Sequence, residues 1–306
     1  MMAVDISTRI LNVKLKNPTI LASGIMGVSG ASCVFAAKNG AGAIIPKSLG
    51  PREREGHNNP VIVEFDKGFL NAVGLPNAGV DNTLGEIVFA IKNAGVPVIP
   101  SLFGGTKEEY GYVAERLSAL DPQLLEVNLS CPNTASDFGM AFALSEKDAG
   151  DVISIVKSKT KVPVIAKLAP NVPNIGRIAM AVEDAGADAI TAINTMPGMV
   201  IDIKSGKPVL HNRQGGISGP ALKPIAVNCI YEIYKSVDIP VIGVGGVTTG
   251  DDAVELMMAG AVALEIGTGI YYRGIDVFSK VSNEIKSFME QNGYSSIKQL
   301  VGVAHK

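Results

Sequence analysis

The sequence has 306 residues, of which 47% are hydrophobic, and a formal net charge of −2. This length and apolar content predict one domain over residues 1–306 with a sizeable core. The near-neutral charge and the absence of Trp argue against the basic surfaces and base-stacking platforms of nucleic-acid-binding proteins.

The cysteines and the N-terminus indicate a compartment. Cys33, Cys131 and Cys229 are too far apart for a C-x-x-C pair, which predicts neither a disulfide framework nor a zinc or iron–sulfur site in this chain. The first residues lack the apolar core of a signal peptide, and no apolar run is long enough to cross a bilayer. We therefore expect a cytoplasmic protein that holds no metal and contacts no membrane.

The chain opens with a predicted β-hairpin, because Asp5–Thr19 alternates apolar and polar residues and is interrupted by Asn17-Pro18. Eight short apolar segments follow, with the composition of strands that are buried on both faces of a parallel sheet. These predicted strands are Thr19–Ala22, Ala43–Pro46, Val96–Pro100, Leu124–Asn128, Val162–Lys167, Ala189–Ile193, Val241–Val244 and Ala263–Ile266.

Amphipathic segments that predict helices lie between and after these strands. They are Ala31–Asn39, Asp81–Asn93, Thr106–Ala119, Glu146–Lys159, Asn174–Ala185, Leu222–Lys235, Asp251–Ala259 and Asp276–Asn292. Several end in Asn-Gly or Ala-Gly, which predicts a left-handed cap before the next strand. Eight strand–helix units predict an α/β fold of the (β/α)8 type, a TIM barrel. The alternative is a doubly wound open sheet, which usually has fewer strands.

Two long connections follow predicted strands. Leu49–Asn77 comes after the second strand and Met196–Pro220 after the sixth. Connections that leave the carboxyl ends of barrel strands lie at the C-terminal mouth, so we expect both to cover it.

Polar side chains and glycines are concentrated where the predicted strands end. They are Ser23-Gly24, Lys47-Ser48, Asn128, Lys167, Asn194-Thr195, Gly245-Gly246 and Gly267-Thr268. In a barrel these positions converge on one face. A Lys at the end of an apolar strand needs an anionic or dipolar partner, so the two lysines indicate an anionic or electron-rich ligand.

The glycines after the last two strands predict a phosphate site. Bare amides can approach a phosphate closely, and the N-terminus of a following helix adds a favourable dipole. A glycine pair alone is equally typical of a tight turn. Its occurrence after both of the last two strands favours the phosphate interpretation.

A cluster of asparagines has two interpretations. Asn71-Ala72-Val73-Gly74-Leu75-Pro76-Asn77 has the composition of a turn. Alternatively, Asn71 and Asn77 join Asn128, Asn133 and Asn194 in a ring of amides around a planar ligand. The residues by themselves leave both open.

The stretch from Leu124 to Asn133 carries the strongest catalytic signal. It begins as an apolar strand and ends in Asn128-Leu129-Ser130-Cys131-Pro132-Asn133. A free Cys is usually a small packing residue. This one follows a strand whose end should lie at the barrel mouth, which favours a catalytic base.

At these motifs the sequence resembles the class 1 dihydroorotate dehydrogenases. The resemblance is carried by Asn-Leu-Ser-Cys-Pro-Asn at 128–133, Lys-Ser at 47–48 and Asn-x-x-Gly-Leu-Pro-Asn at 71–77. It runs from about residue 5 to the C-terminus. The segments at 194–202 and 215–224 resemble class 1B, whose members pass electrons to NAD through a second subunit.

The resemblance implies an FMN-dependent oxidation of (S)-dihydroorotate to orotate in the synthesis of UMP. Cys131 would take a proton from C5 of the substrate, and a hydride would pass from C6 to FMN. FAD and a [2Fe–2S] cluster would lie on an electron-transfer subunit, around a homodimer core of a heterotetramer.

The resemblance also implies site residues. Substrate would be held by Lys47, Asn71, Val73, Gly74, Leu75, Asn128, Asn133, Asn194 and Thr195. FMN would be held by Ser23, Lys47, Ser48, Asn128, Lys167, Ile193, Ser218, Gly219, Gly245, Gly246, Gly267 and Thr268.

Three alternatives remain at this point. One is an FMN enzyme similar to the dihydropyrimidine dehydrogenases, which also use a Cys. Another is a class 1A dihydroorotate dehydrogenase that reduces fumarate. The third is a non-catalytic phosphate-binding barrel.

Overall fold

Buried strands alternate with amphipathic helices along the chain, in a computed structural model that describes residues 4–129 and 144–306. The strands are β1 (Thr8–Ile10), β2 (Val13–Leu15), β3 (Thr19–Leu21), β4 (Ala43–Ile44), β5 (Glu53–Arg54), β6 (Ile62–Phe65), β7 (Gly68–Asn71), β8 (Asn77–Ala78), β9 (Ser101–Leu102), β10 (Leu125–Asn128), β11 (Val164–Leu168), β12 (Ala189–Ala192), β13 (Met196–Gly198), β14 (Ile201–Asp202), β15 (Lys207–Pro208), β16 (Gly215–Ser218), β17 (Val241–Val244) and β18 (Ala261–Ile266).

Among the described residues, every α-helix except the short one at Gly269–Arg273 matches a predicted segment to within one residue at each end, and that short helix was not predicted. The helices are α1 (Gly30–Lys38), α2 (Val80–Asn93), α3 (Lys107–Ser118), α4 (Glu146–Lys159), α5 (Ile175–Asp184), α6 (Lys223–Tyr234), α7 (Gly250–Met258), α8 (Gly269–Arg273) and α9 (Val277–Asn292). Short 3-10 turns cover Pro220–Leu222, Ile297–Gln299 and Val303–His305. The predicted glycine caps have positive φ angles, as at Gly40 and Gly186.

Eight parallel strands form one sheet in the order β4-β3-β18-β17-β12-β11-β10-β9. The two end strands meet through isolated bridges that pair Ile44 with Val98 and Leu49 with Leu102. These bridges close the ring, and the predicted (β/α)8 barrel is confirmed.

The third predicted strand is displaced. The sequence predicts Val96–Pro100, whereas the regular pairing lies at Ser101–Leu102. Two prolines explain the difference, because neither Pro97 nor Pro100 has an N–H to donate to a ladder. The predicted segment bonds to β4 only at single points, such as the Ile99 amide on the Ile44 carbonyl at 2.8 Å.

The predicted N-terminal hairpin is confirmed, and it closes the bottom of the barrel. Strands β1 and β2 pair antiparallel. Ile10 and Leu15 are fully buried against residues of the barrel interior, including Ile20, Ile165 and Ile242. The Thr8 hydroxyl also donates to the Val262 carbonyl, near the start of β18, at 2.7 Å. The end of the barrel opposite the strand carboxyl ends is therefore filled by apolar side chains.

The two long connections pack on each other at the mouth, as expected, and they carry strands of their own. Strands β6 and β7 from the first connection join β13 and β16 from the second in an antiparallel sheet of order β13-β16-β7-β6. The pairing of Asn71 with Gly216 joins two segments that are far apart in the sequence. This sheet holds both connections in place across the mouth.

Among the helices of the described ranges, none has the length and apolar character needed to cross a membrane.

Candidate active site

A cavity of about 460 Å³ lies at the carboxyl ends of the barrel strands, beneath the antiparallel sheet. It brings together every described residue that the family resemblance assigns to substrate or cofactor: Ser23, Lys47, Ser48, Asn71, Val73, Gly74, Leu75, Asn128, Lys167, Ile193, Asn194, Thr195, Ser218, Gly219, Gly245, Gly246, Gly267 and Thr268. Cys131 and Asn133, with Ser130, lie outside the described residues.

The floor of the cavity carries a buried charge cluster that the sequence analysis missed in part. The Lys167 ammonium lies 2.6 Å from Oε2 of Glu265 and 3.6 Å from Oε1 of Glu126. Both carboxylates line the cavity wall and are fully buried. The sequence signal for these carboxylates is a Glu within an apolar strand, at Glu126 and at Glu265. This signal is as strong as the one given by Lys167 in its own strand.

Because of this cluster, Lys167 does not by itself indicate an anionic ligand. The lysine was expected to need an anionic ligand, but the protein itself supplies two carboxylates. Burial lowers the pKa of Lys167, yet the two carboxylates outweigh this effect and leave that pKa above its usual value. Burial and the charge of Glu126 raise the pKa of Glu265 to about 8, against the opposing effect of Lys167.

Hydroxyl groups connect the cluster to the cavity edge. The Ser101 hydroxyl donates to Oε1 of Glu126 at 3.1 Å. The Ser48 hydroxyl lies 2.8 Å from that of Ser101 and 3.0 Å from that of Ser23. Ser23 and Ser48 follow β3 and β4, and Ser101 is the first residue of β9, so the chain of hydroxyls joins three neighbouring strands of the closed barrel. Thr191 donates to the second oxygen of Glu126 at 3.3 Å.

Amide side chains from three strands face the same cavity. The Asn194 amide donates to Oδ1 of Asn128 at 3.2 Å, and the Asn71 amide donates to the Gly216 carbonyl at 3.2 Å. Of the proposed amide ring, Asn71, Asn128 and Asn194 therefore share the cavity. Asn77 is not among its lining residues; Oδ1 of Asn77 accepts the amides of Gly50 and Gly79, as a turn residue does.

The two glycines of the loop after β17 have no room for a side chain, because helix α6 packs against them. A Cβ on Gly246 would lie 2.6 Å from Cβ of Lys223, and its φ is +77°. A Cβ on Gly245, where φ is +136°, would lie 2.8 Å from Cβ of Ala226. Backbone amides at these positions can approach a phosphate closely, and α7 begins four residues beyond Gly246.

Asp252 holds the first of these loops. Its carboxylate accepts the amides of Thr248 and Thr249 and pairs with Lys223 at 2.9 Å. Burial alone would raise the pKa of Asp252, but the hydrogen bonds from Lys223 and Thr248 outweigh it and bring the pKa to about 2. The carboxylate is therefore ionised at neutral pH and braces the loop.

An aromatic pair was also missed by the sequence analysis. Phe69 and Tyr271 both line the cavity, and their rings meet edge to face with centroids 4.7 Å apart. Phe69 comes from the antiparallel sheet and Tyr271 from α8, so the pair joins the sheet to the barrel. Nothing in the local sequence around either residue indicates this contact.

The two described cysteines are unsuited to proton transfer. Cys33 and Cys229 are buried on helices α1 and α6 and do not line this cavity. Burial raises the pKa of each thiol to about 11. Within residues 4–129 and 144–306, no three His, Cys, Asp or Glu side chains are grouped so that they could hold a metal ion.

Comparison with known proteins adds a family. Residues 5–289 match the family model described as dihydroorotate dehydrogenase. The chain is 50% identical over 295 residues to a protein of Methanosarcina acetivorans named dihydroorotate dehydrogenase B (NAD(+)), catalytic subunit, with 96% of this chain and 94% of that protein covered. Proteins of the same name from Methanocaldococcus jannaschii and Pyrococcus abyssi are 45% and 44% identical, with 98% of this chain and 98% and 99% of theirs covered.

Proposed function

The chain belongs to the dihydroorotate dehydrogenase family, and we propose that it oxidises (S)-dihydroorotate to orotate in pyrimidine biosynthesis. The observation that carries the proposal is the shared cavity: every described residue that the family resemblance assigns to substrate or cofactor lines it. The cavity combines asparagine side chains with Lys47, Lys167 and a glycine loop. A barrel that only bound phosphate would not need all of these groups.

We propose FMN as the cofactor of this chain, and two features of the cavity support it. Gly245, Gly246, Gly267 and Thr268 line the cavity beside the N-terminus of a helix, and backbone amides there can approach a phosphate closely. The Lys167 ammonium lines the same cavity, where the resemblance places the flavin edge that gains negative charge on reduction, and Glu126 and Glu265 hold this ammonium in place. The hydroxyls of Ser23, Ser48, Ser218 and Thr268 lie along the cavity wall.

In this proposal the chain's own residues orient the substrate and remove one proton. Asn71, Asn128 and Asn194, with Asn133, hold the amide and carbonyl edges of the pyrimidine ring, and Lys47 attracts its carboxylate. The Cys131 thiolate takes the proton from C5. FMN, when bound, accepts the hydride that leaves C6. Cys131 is the candidate because the other two thiols are buried outside the cavity with raised pKa values.

We further propose that the electrons reach NAD through a separate subunit in the cytoplasm. The relatives are named as NAD(+)-linked catalytic subunits, which implies at least one more subunit beside each of them. The spacing of the three cysteines offers no ligand set for an iron–sulfur cluster in this chain. FAD and a [2Fe–2S] cluster would therefore belong to the partner, around a dimer of this chain.

Two measurements test the proposal. The purified chain should have the visible absorbance of a flavin, and orotate should perturb that spectrum at far lower concentration than uracil, because uracil has no carboxylate for Lys47. Equal affinity for the two ligands would favour a dihydropyrimidine dehydrogenase-like enzyme, and a chain with no affinity for FMN would contradict the proposal.

The electron acceptor is tested separately. The native complex, purified with its partner subunit, should reduce NAD+ with dihydroorotate, and the isolated chain should not. Reduction of fumarate by the isolated chain would instead indicate class 1A.

A further inference from the structure

The floor of the cavity holds two carboxylates for one ammonium. The side chains of Glu126 and Glu265 are 0% exposed, and that of Lys167 is 8% exposed. If both carboxylates were ionised, the cluster would carry a net charge of −1 with almost no water to stabilise it. Two buried carboxylates beside each other ionise together only at high cost, so one proton is expected on the pair.

The hydrogen bonds indicate which carboxyl holds that proton. Both oxygens of Glu126 have donors, Ser101 on one and Thr191 on the other. Oε2 of Glu265 accepts from Lys167, whereas Oε1 is buried and has no hydrogen-bond partner among the described residues. A carboxylate with donors on both oxygens favours the ionised form, and an oxygen without a donor favours the protonated form. The proton therefore belongs mainly to Glu265.

We propose that Glu265 and Glu126 share one proton, and that this proton is taken up or released to match the charge of the flavin bound beside Lys167. The inference rests on the proposed function, because it needs a ligand whose charge changes in the cavity. At a pH high enough to ionise Glu265, this carboxylate takes up one proton from solvent when reduction adds negative charge there, and the floor becomes neutral. When the flavin is oxidised again, that proton leaves.

The surroundings of Glu265 place the exchange above about pH 8, because below that pH the carboxyl already holds its proton. Glu126 from β10 and Lys167 from β11 are the charged groups that act on it, and burial with the Glu126 charge raises the pKa of Glu265 to about 8. The strands on either side of β18, Thr19–Leu21 and Val241–Val244, carry no titratable side chain.

The serine hydroxyls provide a route between the cavity and the pair. Ser101 donates to Glu126, so its own oxygen must accept from Ser48, and the Ser48 oxygen in turn accepts from Ser23. Each hydroxyl has one hydrogen to give, so this order follows from the carboxylate being an acceptor. A proton that arrives at Ser23 can thus be passed inward to Glu126, whose carboxyl is hydrogen-bonded to that of Glu265 when the pair holds a proton.

The first experiment needs no flavin. The infrared spectrum of the ligand-free chain, made with isotope-labelled glutamate, is recorded from pH 6 to pH 10 in the wild type, in Glu265→Gln and in Glu183→Gln. We expect a carboxylic C=O band that persists at pH 7 and disappears around pH 8 in the wild type and in Glu183→Gln. The band should be missing in Glu265→Gln. Its absence from the wild type above pH 6 would overturn the shared proton.

Glu183 is the matched control because it is also a carboxylate held by the fold. Its Oε1 accepts the amides of Asp238 and Ile239, which precede β17 at the opposite end of the barrel.

The second experiment measures the coupling. The reduction potential of FMN bound to the same three proteins is followed against pH. Above pH 8 the wild-type potential should fall more steeply than that of Glu265→Gln, by about 30 mV per pH unit, which is one extra proton for two electrons. Equal slopes in the two proteins would overturn the coupling. The infrared difference spectrum of wild-type protein at pH 9 tests it without a variant, since reduction should add the glutamic acid band.

Different results would contradict the proposed function and the inference about Glu265. A chain that does not bind FMN contradicts the proposed function and the coupling together, while the ligand-free titration still decides whether the carboxyls share a proton. A chain that binds FMN and oxidises dihydroorotate but lacks the glutamic acid band contradicts only the inference about Glu265.

Discussion

The charge at the floor of the cavity is set by three residues from three strands, Glu126, Lys167 and Glu265. Removing one member of a buried ion pair leaves the other charge uncompensated, which typically costs about 3–5 kcal/mol. Lys167 would therefore be retained for stability as well as for any role toward a ligand. Residue type alone does not distinguish a stabilising role of Lys167 from a role in ligand binding, because both roles require a buried cation at this position.

At Cys131 the proposal predicts a loss of chemistry without a loss of cofactor. Cys131→Ala should keep the flavin spectrum. Its rate of dihydroorotate oxidation at neutral pH should fall by about 10²- to 10⁴-fold, which is the usual contribution of a general base. Cys131→Ser should retain slow turnover that increases at high pH, since a hydroxyl is a far weaker acid than a thiol. Steady-state assays across pH measure both.

Cys229→Ala is the control for this pair, because Cys229 is buried on α6 away from the cavity. It should keep full turnover. Undiminished turnover in Cys131→Ala would show that another group accepts the proton.

Among the elements, the loop between β17 and α7 illustrates how backbone and side chain share one task. Its glycines let the backbone turn at positive φ close against α6, and Asp252 from the first turn of α7 holds the loop through Thr248 and Thr249. The same carboxylate is part of the capping box that starts α7. The shape of the loop and the start of the helix are therefore coupled through one side chain.

The close packing of this loop predicts that Gly246→Ala weakens FMN binding by at least about tenfold. The new Cβ would lie 2.6 Å from Cβ of Lys223 at a φ of +77°, so the loop must move, and a strained left-handed residue costs about 1–2 kcal/mol by itself. Fluorescence titration with FMN measures the change. Gly206→Ala has a similar φ of +67° and open space around it, so its affinity for FMN should stay that of the wild type.

Asp252 predicts a pH-dependent contribution to stability. Its pKa is about 2 in the folded chain against 3.8 for the free side chain, so its contribution is complete above about pH 4 and is lost as the pH falls toward 2. Asp252→Asn should lower the free energy of unfolding at pH 7 by about 2 kcal/mol, and by progressively less below pH 4. Urea unfolding followed by circular dichroism measures the difference.

The neighbouring Asp251→Asn is the control, because Asp251 is exposed in the same first turn. A deficit in Asp252→Asn that stayed constant down to pH 2 would contradict an origin in the carboxylate charge.

At the scale of the whole molecule, the barrel separates stability from chemistry along its axis. The hairpin β1–β2 fills one end with fully buried Ile10 and Leu15, and the opposite end holds the cavity under the antiparallel sheet. Substitutions at the closed end should therefore change stability and leave the site unchanged.

Ile10→Ala tests this separation. Deleting a fully buried Ile side chain typically costs about 2–5 kcal/mol, and the midpoint of thermal unfolding should fall accordingly. The Kd for FMN and the turnover below the unfolding range should match the wild type. Arg9→Ala, at the exposed neighbouring position, should change neither quantity. A large loss of FMN affinity in Ile10→Ala would mean that the two ends of the barrel are coupled.

Local patterns in the sequence determined most of the architecture. Strand and helix periodicity with glycine caps was enough to predict the barrel, the hairpin and the end of the barrel at which the two long connections lie. In a parallel barrel all strand ends meet at one face, so every polar residue or glycine predicted at those ends lines the cavity. The family motifs then supplied possible roles, which the experiments above test.

Tertiary structure alone decided what depends on partners distant in the sequence. The regular pairing of the third strand shifted because its prolines cannot donate to a ladder. The antiparallel sheet over the mouth needs two connections that are separated along the chain by more than a hundred residues. The pairing of Lys167 with Glu126 and Glu265 depends on which strands become neighbours across the barrel interior. Propensity is local, whereas the charge state of a buried carboxyl is set by whatever the closed barrel brings next to it.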